Sequence, residues 1–398
     1  MRTPHRLLPT ALIALACGEM SLDPNPVRLD GDPTEAPDAA SSPPTETPCA
    51  FERRWFSPDV EYLSFRGFFG FDAEGAQVEL HGNDVWLGAR LDAETGVARA
   101  LEGQRRILAT NRATSTRLEV ELNPHGERQL VWAQRDPDRH QVLAPETSQG
   151  VFVGGAVSAD GHHAVALHCA WDDVPSLDMF IVEDGELLEV RRLDDTCEAV
   201  WGAGSLPVAF DHTGARVFVA GHDKLLAVGF RDETSTVLHA RLGEDVDGSW
   251  GLHAVLDFDL HPTADVLAFT TAEGELRCVD GAGRPVGAPT RPVGVAVANA
   301  VAYAPPFGVS PVRFDPTGRR VLVSGGESTL EVLDVSTGEA LSRLSVADAL
   351  EDLEGAGDLD MVPGNAPLAV AFSSDGRLAG SFEGGVALWG CTDEPAAP

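Results

Sequence analysis

The sequence predicts an all-β chain in which one small antiparallel sheet recurs seven times, and three observations predict it. The first is the stretch 310–344. It alternates apolar runs (Pro311-Val312-Arg313-Phe314, Val321-Leu322-Val323, Leu330-Glu331-Val332-Leu333-Asp334, and a last run near Leu341–Leu344) with turn residues (Asp315-Pro316-Thr317-Gly318, Gly325-Gly326-Glu327-Ser328, Ser336-Thr337-Gly338-Glu339). Four short runs closed by residues suited to turn geometry make an up-and-down sheet. The second is a recurring turn of the form Phe-Asp/Ser-x-x-Gly, whose last residues fall at 75, 126, 161, 214, 264, 318 and 376. The third is that such a sheet has two apolar faces and cannot bury both alone, so each copy must stack on its neighbours. Radial stacking also shields the sheet edges. A seven-bladed β-propeller of four-stranded antiparallel blades follows.

In chain order the turn reads Phe71 to Gly75, Leu122 to Gly126, Val157 to Gly161, Phe210 to Gly214, Leu260 to Ala264 (its glycine lost), Phe314 to Gly318 and Phe372 to Gly376. A third strand then ends in a small-residue turn, as in Val85-Trp86-Leu87-Gly88 before Thr95-Gly96 and Glu275 to Asp280 before Gly281. Over residues 51–391 this pattern resembles the WD40-repeat family and its YVTN-like relatives. The likeness is carried by Phe314 to Gly318 with Val332-Leu333-Asp334 and Thr337-Gly338-Glu339, and by Phe372 to Gly376 with Leu388-Trp389. The resemblance implies a propeller whose copies, most of them about 50 residues apart, carry longer loops than the family's usual ~40–45-residue repeat.

Ahead of the repeats, Arg2, His5 and Arg6 precede the apolar run Leu7 to Ala16. That is the layout of an export signal over residues 1–16, and Ala14-Leu15-Ala16 before Cys17 resembles the lipobox of bacterial lipoproteins. The resemblance implies a lipid on Cys17. The same Ala-x-Ala triplet also fits simple secretion, and a cytoplasmic start stays open. Residues 17–48 are rich in Pro, Asp, Glu, Ser and Thr and poor in large apolar groups, so they read as a disordered tether. The propeller is expected over 49–392 and a disordered tail over 393–398. The expected location is the cell envelope, either lipid-anchored or secreted, in the bacterial outer membrane or periplasm.

The formal net charge of −33 argues against nucleic acid or an anionic membrane surface as a partner, since both would be repelled. Membrane contact is expected only through Cys17, and a cationic partner or divalent cations are permitted. Propellers close their ring by letting an N-terminal strand complete the last blade. The seventh copy shows three strands, so Ala50 to Phe56 is the expected closing strand. Of the six cysteines, Cys49 and Cys391 flank that closure and form one expected bridge, which would contribute about 4–5 kcal/mol through chain entropy. Cys169 and Cys197 form a second expected bridge within the third copy, and Cys278 is left as a buried free thiol.

Crossings between copies all lie on one face. Several carry aromatics among glycines and acids: Trp201, then Asp245, Asp247 and Trp250, then Tyr303 and Phe307. These six residues are the candidate binding rim, and packing between blades is the competing reading. A short helix over 345–355 is expected from Ser345 with Asp348, the apolar face Val346, Leu350 and Leu353, and Gly355 as a stop. Chemistry is harder to find. Asp245-Val246-Asp247-Gly248 has part of a calcium loop but lacks its spaced acceptors and terminal Glu. His163 and His168 are five apart, which puts them on opposite strand faces, and His162 adds no shared site. Nucleophile elbows, phosphate loops and zinc signatures are missing. No catalytic residue, metal or cofactor is expected. The reading is a protein-binding or assembly module with an unidentified protein partner. A periplasmic or surface enzyme (a hydrolase or quinoprotein-type oxidoreductase) using the channel mouth is the alternative.

Overall fold

Seven sheets with four strands each account for all but two of the thirty strands. In this computed structural model the described residues are 50–58, 69–72, 75–81, 88–100, 105–111, 113–134, 139–145, 150–170, 176–193, 206–221, 224–240, 255–271, 273–287, 291–294, 296–298, 307–326, 329–347, 367–382 and 385–392. The first blade is β2 (Phe69–Phe71), β3 (Gln77–His81), β4 (Gly88–Asp92) and β5 (Ala98–Ala100), and the second is β6 (Arg105–Asn111), β7 (Thr116–Leu122), β8 (Arg128–Gln134) and β9 (His140–Pro145). The third has β10 (Gly150–Val157), β11 (His163–Ala170), β12 (Ser176–Glu183) and β13 (Glu186–Arg192), and the fourth β14 (Val208–Phe210), β15 (Arg216–Ala220), β16 (Lys224–Gly229) and β17 (Ser235–Ala240). The fifth has β18 (Val255–Leu260), β19 (Val266–Thr271), β20 (Glu275–Asp280) and β21 (Arg291–Pro292). A separate ribbon, β22 (Ala296–Ala298) with β23 (Phe307–Val309), precedes the sixth blade, β24 (Val312–Phe314), β25 (Arg320–Gly326), β26 (Thr329–Asp334) and β27 (Ala340–Ser345).

The seventh blade supplies three consecutive strands, β28 (Pro367–Phe372), β29 (Leu378–Phe382) and β30 (Gly385–Thr392), and takes its fourth from β1 (Ala50–Ser57). Strand β1 runs antiparallel to β30, with Ala50 opposite Thr392 and Ser57 opposite Val386, and a bulge between Arg53 and Trp55. The expected closing strand is therefore present. The bulge re-aims the side chains after it. Trp55 packs with the first blade's core, and its indole N–H donates to the Ala93 carbonyl at 3.0 Å, while Phe51 and Phe56 pack with the sixth and seventh blades.

The recurring turn has a structural purpose, because it is where each blade meets the next. In five copies the glycine N–H donates to the carbonyl of the turn's first residue, as Gly318 to Asp315 at 3.0 Å and Gly376 to Ser373 at 3.1 Å. Gly318 has φ +73°, and a Cβ there would lie 2.2 Å from Nε2 of His261 in the fifth blade's turn. Glycine is thus required twice over at that position, for its backbone and for the neighbour against it. In the fifth copy His261 replaces the lost glycine's work, its Nδ1 accepting from the N–H groups of Thr263 and Ala264. The ring continues through Asn111 Nδ2 to the Ser158 carbonyl at 2.6 Å, His212 Nε2 to the His261 carbonyl at 2.6 Å, and Arg377 Nη2 to the Gly75 carbonyl at 2.8 Å.

The second copy corrects the sequence reading. Asn123 to Gly126 joins the second and third strands of its blade, β7 and β8, rather than the first and second. The equivalent turn runs from Asn111 to Ser115, where Ser115 takes the positive φ (54°) that glycine takes elsewhere. Strand β4 also begins at Gly88, so Val85 to Leu87 fall outside the described residues. Beyond Ala347 the expected helix does too.

In middle strands such as β11 and β16 both faces are buried, alternate residues packing on the preceding blade and on the next, whereas outer strands such as β13 and β17 are largely exposed. Buried apolar clusters seal six of the seven junctions: seventh to first, second to third, third to fourth, fourth to fifth, fifth to sixth and sixth to seventh. Each fully buried Leu or Phe contributes about 1.5–3 kcal/mol relative to exposure. Between the first and second blades no such cluster forms among the described residues.

Candidate functional site

Inner strands start at the crossing face and end at the recurring turns, so their side chains line a central channel from one face to the other. Strand β18 reads Val255-Leu256-Asp257-Phe258-Asp259-Leu260. Phe258 is buried with the fourth and fifth blades, and alternation turns Asp257 and Asp259 the other way, toward the sixth. There they meet the free edge of β24. Asp257 Oδ2 accepts the Val312 N–H at 3.2 Å, and Asp259 Oδ2 accepts the Phe314 N–H at 2.7 Å. Edge N–H groups of an inner strand have no further strand to pair with. The two carboxylates take the place of one.

Arg313, between those two N–H groups, completes a bar across the channel. Its Nη1 donates to Asp257 Oδ2 at 2.7 Å, and also to the carbonyls of Val312 at 2.5 Å and Phe258 at 3.3 Å. The Arg313 side chain is 34% exposed and that of Asp257 15%. Burial pushes the Asp259 carboxyl up to about 6, against the opposing pull of the Arg313 charge and the Phe314 N–H.

Two cavities meet at this bar. One, of about 230 Å³, lies toward the crossing face and is lined by the starts of the inner strands of blades four to seven, from Pro207 through Leu256, Ser310 and Pro311 to Leu368. The other, of about 300 Å³, lies toward the recurring turns and includes Phe69, Pro262, Pro316 and Phe372. Asp259 and Arg313 line both. The connections that lead into the strands lining the first cavity are the longest in sequence: residues 193–207, 241–254, 293–311 and 346–366, against 58–68, 101–104 and 146–149 elsewhere in the ring.

Of the expected rim, Trp201, Asp245, Asp247, Trp250 and Tyr303 lie outside the described residues. Phe307 opens β23, its backbone paired with Ala298, on the ribbon between the fifth and sixth blades. Among the cysteines, Cys17, Cys49 and Cys197 lie outside the described residues, as does the side chain of Cys391. Cys169 is fully buried and disulfide-bonded. Cys391 stands opposite Phe51 on β30. Cys278 is free as expected but half-buried rather than buried, and burial pushes its thiol up to about 11. The three histidines stay apart. His162 pairs with Asp184 at 2.6 Å and His163 with Glu183 at 3.2 Å, while His168 is buried edge-on to Phe152 and Phe180.

Sequence reasoning missed Asp257, Asp259 and Arg313. The signal available was the Asp-x-Asp spacing on an inner strand, which puts two acids on one face. Compared with known proteins, the chain matches no family model and no curated protein. Its class is therefore set by architecture alone: a seven-bladed β-propeller.

Proposed function

We propose that this chain is an exported, WD40-like propeller, held at the cell envelope by a lipid on Cys17 and the tether that follows, and that it works as a protein-binding module. The observation that carries this reading is the asymmetry of the crossing face. Its four longest connections are consecutive in the chain, and they lead into the inner strands of blades four to seven, which line the cavity that ends on the Asp257–Arg313–Asp259 bar. Long loops placed by a rigid scaffold over a concave opening are where folds of this kind bind. A net charge of −33 favours a partner that brings a basic segment to that opening.

Fold alone assigns no function, so the proposal rests on the site. Its test is a pull-down from gently solubilised envelopes, comparing wild type with Trp201, Trp250, Tyr303 and Phe307 changed together to Ala, after both show the same melting curve. A partner retained by wild type and lost by the variant supports the reading. Equal capture, or none, rejects the rim. One observation favours an enzyme instead: a carboxyl lifted to about 6 on a channel wall is suited to proton transfer. Turnover of a small substrate that Asp259→Asn abolishes would support that second reading.

A further inference from the structure

Among the described residues no apolar cluster spans the junction between the first and second blades, and buried charged groups stand there beside the buried Ile107 and Val131. Leu118 and Val120 of β7 pack on the third blade, so Glu119 and Glu121 point back toward the first. His140, at the start of β9, joins them on that face. One donor atom from each of these three side chains lies within 4.8 Å of the other two. Glu119 is only 1% exposed; its Oε1 lies 3.6 Å from Arg105, and its Oε2 is buried with no hydrogen-bond partner. A buried, unpartnered carboxylate oxygen is costly and calls for a ligand.

We propose that Glu119, Glu121 and His140 form a divalent metal site. Imidazole with two carboxylates suits a first-row transition cation such as Zn²⁺ over Mg²⁺ or Ca²⁺. Ligand atoms around such an ion sit roughly 3.3 Å apart, so side-chain rotations that draw the more distant donors up to about 1.5 Å closer complete the set. Glu121 is already oriented: Gln129 Nε2 donates to its Oε1 at 2.9 Å, the kind of hydrogen bond that holds a ligating carboxylate in place in metal sites. His140 Nε2 stands 3.1 Å from Glu121 Oε2, where the cation takes the place of a shared proton. Arg105, and Arg117 on the same face of β7, oppose the incoming charge and set the affinity below that of a site with no cations beside it. Three protein ligands leave a further position for water.

The experiment uses the full chain, stripped with a chelator and titrated calorimetrically with Zn²⁺, Mg²⁺ and Ca²⁺. One Zn²⁺ per chain is expected, with no saturable binding of the other two. His140→Ala, at a half-exposed position that tolerates truncation, and Glu119→Gln, which keeps the side-chain shape, should each weaken Zn²⁺ by roughly 100-fold or more. Unchanged Zn²⁺ affinity in both variants, or no saturable Zn²⁺ binding by wild type, overturns the proposal.

Discussion

Replacing Asp259 by Asn tests whether the channel bar holds a carboxylate at an energetic cost. In the folded chain this carboxyl is lifted from 3.8 to about 6, with burial as the leading cause. The folded state therefore binds the proton more tightly than the unfolded one. The group's favourable contribution is fully present below about pH 4 and is lost as pH rises through about 6. At about 1.4 kcal/mol per pH unit, the ionised form costs about 2–3 kcal/mol above pH 7. Asn cannot ionise, and its Oδ1 can still accept the Phe314 N–H. The assay is urea unfolding of wild type and Asp259→Asn from pH 4.5 to 8. Because every other titrating group is common to both proteins, the difference between them isolates this one. The variant should gain on wild type by about 2 kcal/mol between the ends of that range, part of the full effect having already been lost by pH 4.5. A difference that stays flat with pH, or that moves toward wild type as pH rises, refutes the assignment.

Two further predictions concern the ring. Gly318→Ala forces a Cβ toward His261 at a positive φ, whereas Gly376→Ala meets nothing within 4 Å at a similar φ. By equilibrium unfolding, the first should cost about 1–3 kcal/mol more than the second, and equal losses would deny the blade-to-blade contact. Trp55→Phe removes the hydrogen bond to the Ala93 carbonyl while keeping most of the apolar contact. It should lower stability by about 1 kcal/mol in the same assay, and an unchanged midpoint would remove that bond from the account of ring closure.

The architecture was legible because turn chemistry and strand alternation are local, and here they agree with the global packing. The closing strand could be read for the same reason: a seventh copy with only three strands left a place for Ala50 to Phe56. The second blade was read out of phase because Asn123 to Gly126 carries good turn residues, while the true turn hides its positive φ in Ser115. The channel bar was less visible. Asp257 and Asp259 announce themselves only as two acids on one strand face, and Arg313, the group that gives them meaning, is more than fifty residues away. Glu119 likewise looks like an ordinary strand acid until the third blade claims Leu118 and Val120 for the other face. The crossing aromatics lie almost wholly outside the described residues, so their part in binding rests on the pull-down.

Ring closure by β1 also fixes an order of events during synthesis. Among the described strands Ala50–Ser57 leaves the ribosome first, yet its hydrogen-bonding partner, Gly385–Thr392, is made last. Until then Phe51, Trp55 and Phe56 have no sheet to join, and the first and seventh blades cannot meet. A nascent chain of this kind can assemble its middle blades one after another, but the circle itself has to wait for the final strand. That interval, with an apolar edge on view, is when the chain is most open to mispairing and most in need of a chaperone.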